Sequence, residues 1–114
     1  MADGLKRKYR QMILDILSAN ERVESAVLFG SRAMGTFTPQ SDVDIALFGK
    51  DLTLNDLASL IRQMEESIIP HKVDLLLHDD ITAPKLKEHI RQHGVEWWRR
   101  REGLESPGSW VERD

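Results

Sequence analysis

The chain has 114 residues, 40% of them hydrophobic and 31% charged, with 19 acidic groups against 16 basic ones, a net charge of −3 and no cysteine. That length fits one domain with a modest core, and the lack of cysteine removes disulfides and thiolate metal sites. The acidic balance argues against a protein that works mainly by gripping nucleic-acid phosphates, and no apolar run approaches the roughly 20 residues of a membrane-spanning helix.

Leu5, Tyr9, Met12, Ile13, Ile16 and Leu17 recur at helical spacing and predict an amphipathic helix over residues 4–19. The residues before it show no signal-peptide core, so the cytoplasm is the expected location. Residues 23–29 read as a strand that becomes fully apolar, and Gly30-Ser31 follow at once. One short helical turn is expected at 31–35, then a loop through Pro39 to Ser41. Residues 43–48 read as a second strand closed by Gly49. Thr53 and Asp56 form a capping box for the next helix, with Leu54, Leu57, Leu60, Ile61, Met64 and Ile68 as its expected buried face and Pro70 as its stop.

Residues 72–77 form a third strand, and His78-Asp79-Asp80 a polar loop. Thr82 and Pro84 open a last helix that points Leu86 and Ile90 inward and ends at Gly94. His89 and His93 lie four apart on it. Two histidines without a third ligand make an incomplete zinc site, so a solvated helix face is expected. Trp97 and Trp98 are adjacent, which on a strand sends one ring to the core and the other outside. The outer ring, beside Arg99, Arg100 and Arg101, either covers core or offers a docking or base-stacking surface. Residues 104–114 carry Gly, Ser and Pro and read as a loose tail beyond a domain of residues 1–103. The order of elements predicts an α/β fold, a small mixed sheet with helices packed against it. The helix between the second and third strands is long enough for a crossover.

One constellation carries chemistry. Gly30-Ser31 is followed after ten residues by Asp42-Val43-Asp44, and Asp74 stands in the third strand. Asp42 and Asp44 share a side of their strand, about 7 Å apart along it. Same-facing carboxylates repel unless a cation sits between them, and Mg²⁺ prefers oxygen ligands in the company of phosphates. Asp74 interrupts an apolar strand, where a lone buried carboxylate is costly. If its strand neighbours the second, three carboxylates meet as two-metal catalysis requires, with ions about 3.5–4 Å apart. Glycine lets backbone approach a phosphate closely, and free N–H groups at the start of a helical turn attract anions. The Ser31 hydroxyl can bond a terminal phosphate oxygen. Arg32 adds positive charge or makes a structural ion pair. The plain alternative for Asp42 is turn chemistry before a strand, which leaves Asp44 unexplained.

The pattern Gly-Ser-x10-Asp-x-Asp with a later strand aspartate resembles the nucleotidyltransferase superfamily typified by DNA polymerase beta. Within it the chain is similar to the minimal nucleotidyltransferases, or MNT proteins. The likeness runs over about residues 5–100 and is carried by 28–35, by 41–47 and by 71–76. It departs at Met34, where many relatives carry a basic residue. The resemblance implies a palm-like nucleotidyltransferase fold. It implies that Asp42 and Asp44 hold two Mg²⁺ (or Mn²⁺) ions, that Asp74 holds the catalytic one and helps deprotonate the acceptor, and that Gly30, Ser31, Arg32 and Ser41 form the nucleotide site. ATP is the implied substrate, with AMP passing to a hydroxyl and pyrophosphate leaving.

The chain leaves no residues for the second domain with which larger relatives cover the base, so an open site or a partner is expected. MNT proteins are often paired with a small helical HEPN protein, in which a tyrosine can take AMP and silence an RNase toxin. That implies a hetero-oligomer with a HEPN toxin, and neither nucleic acid as main ligand nor a membrane. Two rivals stand beside this reading: an antitoxin that binds nucleotide and partner without turnover, and a transferase acting on RNA ends or a small molecule.

Overall fold

The computed structural model describes residues 3–101; the tail expected at 104–114 lies outside the described residues. In chain order the elements are α1 (Arg7–Ser18), β1 (Ser25–Phe29), the single-turn helix α2 (Ser31–Met34), β2 (Val43–Phe48), α3 (Leu54–Glu65), β3 (Val73–Leu77), α4 (Pro84–His93) and β4 (Val95–Arg99). A 3₁₀ turn, His78–Asp80, stands where a polar loop was expected.

The four strands make one mixed sheet in the order β3-β2-β1-β4. β1 is antiparallel to β2 and to β4, and β2 is parallel to β3. The parallel pair needs a crossover, which α3 supplies. Val43, Ile45 and Leu47 of β2 and Val73, Leu75 and Leu77 of β3 point to one face, where Ile13 and Leu17 of α1 and Leu60 and Met64 of α3 cover them. The opposite face has a smaller core: Phe29, Ala46 and Ile90, with Val27, Phe48, Leu76, Ile81 and Leu86 around them. The sheet is thus roofed by α1 and α3 on one side and by α4 alone on the other. The acidic residues of the strands fall on that thinly covered side. No helix among the described residues is long and apolar enough to cross a membrane.

The capping box is present as expected. The Thr53 hydroxyl accepts from the Asp56 amide at 3.1 Å and the Asp56 carboxylate accepts from the Thr53 amide at 3.0 Å. The predicted face of α3 runs too far at both ends: Leu54 and Ile68 are exposed, at 69% and 77%. The fourth strand was not in the predicted order of elements. Its pairing with β1 shifts register between Ala26 and Val27, and with that irregularity Trp97 joins the large core while Trp98 packs against the same cluster. A regular strand would have sent one ring to the other face. Arg10 stacks on Trp97 and Arg100 on Trp98, at 4.9 Å from each ring centroid. The Arg100 guanidinium also donates to the carbonyls of Val23, Ser18 and Asn20, each at 3.0 Å, and Arg99 pairs with Glu96. The tryptophans therefore cover core, and Arg99 and Arg100 have structural partners.

Candidate active site

Phe29 of β1 pairs with Asp44 of β2, and Asp44 pairs with Asp74 of β3. These three residues form one row across the sheet on the face that α4 leaves largely open. Asp42 lies two residues before Asp44, just ahead of β2, and is half-buried. The register meets the expectation that β3 adjoins β2 and sets Asp74 beside Asp44.

Asp44 feels the crowding. Burial raises its carboxyl above the ordinary aspartate range, and the negative charges of Asp74 and Asp42 and a hydrogen bond shared with Asp74 push it the same way. Lys72 opposes the rise. Its ammonium lies 3.6 Å from the Asp74 carboxylate. Lys72 was not singled out by sequence, although its spacing of two from Asp74 on an extended segment was a sufficient signal.

The end of β1 is built around Gly30. Its φ of 78° and ψ of −159° belong to backbone that glycine alone adopts readily. A Cβ added there would stand 2.4 Å from the Asp44 Oδ2 atom. Glycine is therefore required twice, by conformation and by the closeness of the carboxylate. Gly35, with φ of 83°, ends α2 in the left-handed region. Ser31 opens α2 half-buried, and no hydrogen bond of its hydroxyl is found among the described residues.

Of the two further residues expected at the nucleotide, Arg32 faces inward and Ser41 is half-buried. Arg32 is 2% exposed. Its guanidinium donates to the carbonyl of Asp3 at 2.8 Å and twice to that of Ser41, at 3.1 and 2.9 Å. It also stacks on Phe37 and approaches His71 Nδ1 at 3.4 Å. Burial and the nearby Arg32 charge hold His71 below its usual pKa, which keeps its ring available as an acceptor. The Ser41 hydroxyl accepts from the Thr38 amide at 2.8 Å. Arg32 and Ser41 thus fasten the loop between α2 and β2, and the Arg32 guanidinium is occupied by backbone carbonyls. A buried guanidinium needs acceptors on all sides, and the loop carbonyls provide them; spacing alone did not reveal this.

The two histidines of α4 differ. His93 is exposed, as expected. His89 is half-buried, meets Phe29 edge-on with ring centroids 6.1 Å apart, and accepts the Gly30 amide N–H at its Nε2 atom, 3.0 Å away. Its contact with the Gly30 turn was not foreseen.

A cavity of about 590 Å³ begins at Asp44 and Asp74, passes Lys72 and His71, and reaches Ile61 and Met64 of α3 around the free edge of β3. Its volume is in the range of small-molecule sites. Whether these residues suit a metal is decided by charge rather than by a ready-made cage. Among the described residues no three His, Asp or Glu side chains already form a metal-sized cluster. Yet two carboxylates side by side with a third close by, one of them pushed toward protonation by burial and by the other two, form a donor set of oxygens short of positive charge. That fits a hard divalent cation.

The family described as polymerase beta, nucleotidyltransferase, matches residues 11–102. A Methanocaldococcus jannaschii protein assigned as a protein adenylyltransferase is 31% identical over 88 residues, which cover 75% of this chain and 84% of that protein. Among solved structures, a chain of a toxin-antitoxin crystallised with AMP-PNP is 25% identical with a TM-score of 0.67, over 82% of this chain and 75% of that one. A chain of the tri-AMPylated Shewanella oneidensis HEPN toxin in complex with MNT antitoxin has a TM-score of 0.64 at 21% identity, over 84% of this chain and 74% of that one. This last likeness is one of fold.

Proposed function

The chain belongs to the polymerase beta nucleotidyltransferase family and is a nucleotidyltransferase, and on that premise we propose that it moves AMP from ATP to a hydroxyl on a partner protein. The observation that carries this reading is the row Asp44–Asp74 with Gly30 pressed against Asp44. It sets a carboxylate pair beside a turn whose backbone a phosphate can approach.

Each residue has a task. Gly30 and Ser31 receive the triphosphate, the first by having no side chain and the second through its hydroxyl. The acceptor oxygen attacks the α-phosphorus in line. A new P–O bond forms, the bond from the α-phosphorus to the bridging oxygen breaks, and pyrophosphate leaves. Asp74 takes the acceptor's proton. Asp42, Asp44 and Asp74 would hold divalent metal, Mg²⁺ by preference, which when bound supplies charge neutralisation and an acidified acceptor hydroxyl. Arg32 acts on the loop, and Ser41 stands half-buried at the loop's end where it can still reach the nucleotide. Lys72 supplies positive charge beside Asp74 where the cavity opens.

For the acceptor we propose a tyrosine of a HEPN partner. The sequence resemblance to MNT proteins supports it, as does the toxin-antitoxin structure with a bound ATP analogue at 25% identity. The structural engagement of Arg99 and Arg100 and the net charge of −3 weigh against RNA as the acceptor.

The test is label transfer from α-³²P-ATP with Mg²⁺, using the purified chain with the product of its neighbouring gene. An Asp42→Ala/Asp44→Ala chain serves as control. Label on the neighbour that vanishes in the control supports the reading and names the acceptor. A stable complex that carries no label would replace it with an antitoxin that acts by binding alone.

A further inference from the structure

We propose that His89 is a positioning residue for the phosphate-facing turn, holding Gly30 by accepting its amide N–H; this rests on the transferase reading above. Gly30 occupies backbone that most chains avoid, and such a conformation persists only when its surroundings fix it. Three contacts do so here. The Asp44 Oδ2 atom lies 2.4 Å from where a Cβ would stand. α2 begins at the next residue, with the amides of Ala33 and Met34 both bonding the Gly30 carbonyl at 3.1 Å. The amide of Gly30 itself is held by His89 Nε2 at 3.0 Å. Of these three, His89 is the one that comes from a distant part of the chain, 59 residues away.

The histidine is itself well placed to hold. It precedes Ile90, which is buried in the small core beside Phe29. Its ring lies edge-on to Phe29 and 5.2 Å from the ring of His93. Acceptance at Nε2 leaves a ring proton to Nδ1. α4 is in turn anchored to β1 at its end, where a Cβ on Gly94 would meet Val27 at 2.7 Å. The helix, the histidine, the turn and Asp44 are therefore in continuous contact. Without the bond, the turn is free to move against Asp44, and the alignment of phosphate donors with the carboxylates loosens.

Two substitutions separate the hydrogen bond from the packing. His89→Phe keeps an aromatic ring against Phe29 and removes the acceptor. His89→Gln removes the ring and offers an oxygen at the reach of Nε2. His93→Ala is the control on the exposed neighbour. Transfer of AMP is followed against ATP concentration for each, and hydrogen exchange of the Gly30 amide is measured by NMR without nucleotide. The expected result for His89→Phe is a rise in KM for ATP of about two- to tenfold, the worth of one net hydrogen bond, with kcat changed less and the Gly30 amide exchanging faster. His89→Gln restores both, and His93→Ala changes neither. Equal KM and equal Gly30 exchange in His89→Phe and the unaltered chain would overturn the proposal, as would a His89→Gln chain as impaired as His89→Phe. If the unaltered chain transfers no AMP, the transferase reading falls, and Gly30 exchange together with ATP binding still decides whether His89 holds the turn.

Discussion

A residue's task here follows from what its atoms touch, and Gly30 makes the case most directly. Gly30→Ala would place a methyl within 2.4 Å of Asp44 Oδ2 on a backbone with φ of 78°. We expect it to cost about 1–3 kcal/mol of stability, the scale of a strained non-glycine conformation, visible in chemical denaturation. AMP transfer should fall below detection even in the folded fraction, because the carboxylate must move aside. A variant with near-normal transfer would mean that the turn does not face the nucleotide. The aspartates and Gly30-Ser31 were legible in the sequence because a carboxylate in an apolar strand and a glycine at a strand end each break a local rule. For Arg32 the sequence left two readings open, a charge at the nucleotide or a structural role, and the structure encloses it with backbone carbonyls. A charged residue beside a phosphate-binding turn invites a charge argument, and nothing in its neighbours reveals that the loop carbonyls will enclose it. His89 depends on packing across the fold, whereas Lys72 lies just ahead of the strand that carries Asp74.

At the scale of elements, the helices were read closely because each carries its own signals: apolar spacing in α1, the Thr53/Asp56 box in α3, Pro84 at the start of α4. Thr53→Ala should cost about 1 kcal/mol, the usual worth of an N-cap. Thermal or urea unfolding reads that loss directly, with transfer unaffected. β4 escaped the predicted order because its sequence, VEWWR, follows no clean alternation and becomes a strand through its pairing with β1. Arg100 ties the end of that late strand to the last residue of α1 and to the segment that follows it, with three carbonyl bonds. Hydrogen bonds to a charged group are each worth more than neutral ones, so Arg100→Ala should destabilise by roughly 2 kcal/mol and leave the KM for ATP unchanged. A variant of full stability with weakened nucleotide or partner binding would return the arginine run to the docking role that the sequence left open.

The whole molecule sets two helices on one face of its sheet and one on the other, so the carboxylate row is held on an open side. That layout has an energetic consequence that can be measured. Asp44 has its pKa raised by burial and by its acidic neighbours, so the folded state binds the proton more tightly than the unfolded one. Linkage then makes the folded chain relatively more stable when Asp44 is protonated, and this advantage is lost as pH rises from the ordinary value of 3.8 through the raised one. Asp44→Asn removes the charge. In the absence of metal and nucleotide it should therefore melt higher than the unaltered chain at neutral pH. The gain should shrink toward zero in acid. With Mg²⁺ and ATP the order should reverse. Ligand at about 100 times its dissociation constant adds about 2.7 kcal/mol to a chain that binds it. Asp44→Asn, lacking one of the carboxylates that hold the charge, should gain little. Melting curves of the two chains with and without Mg²⁺-ATP, at neutral and acid pH, decide the matter. Crossing curves mean that repulsion stored among the aspartates is relieved by the cation and nucleotide. Parallel curves mean that Asp44 is satisfied by Lys72 and its surroundings alone, and that the carboxylate row does not serve as the metal site.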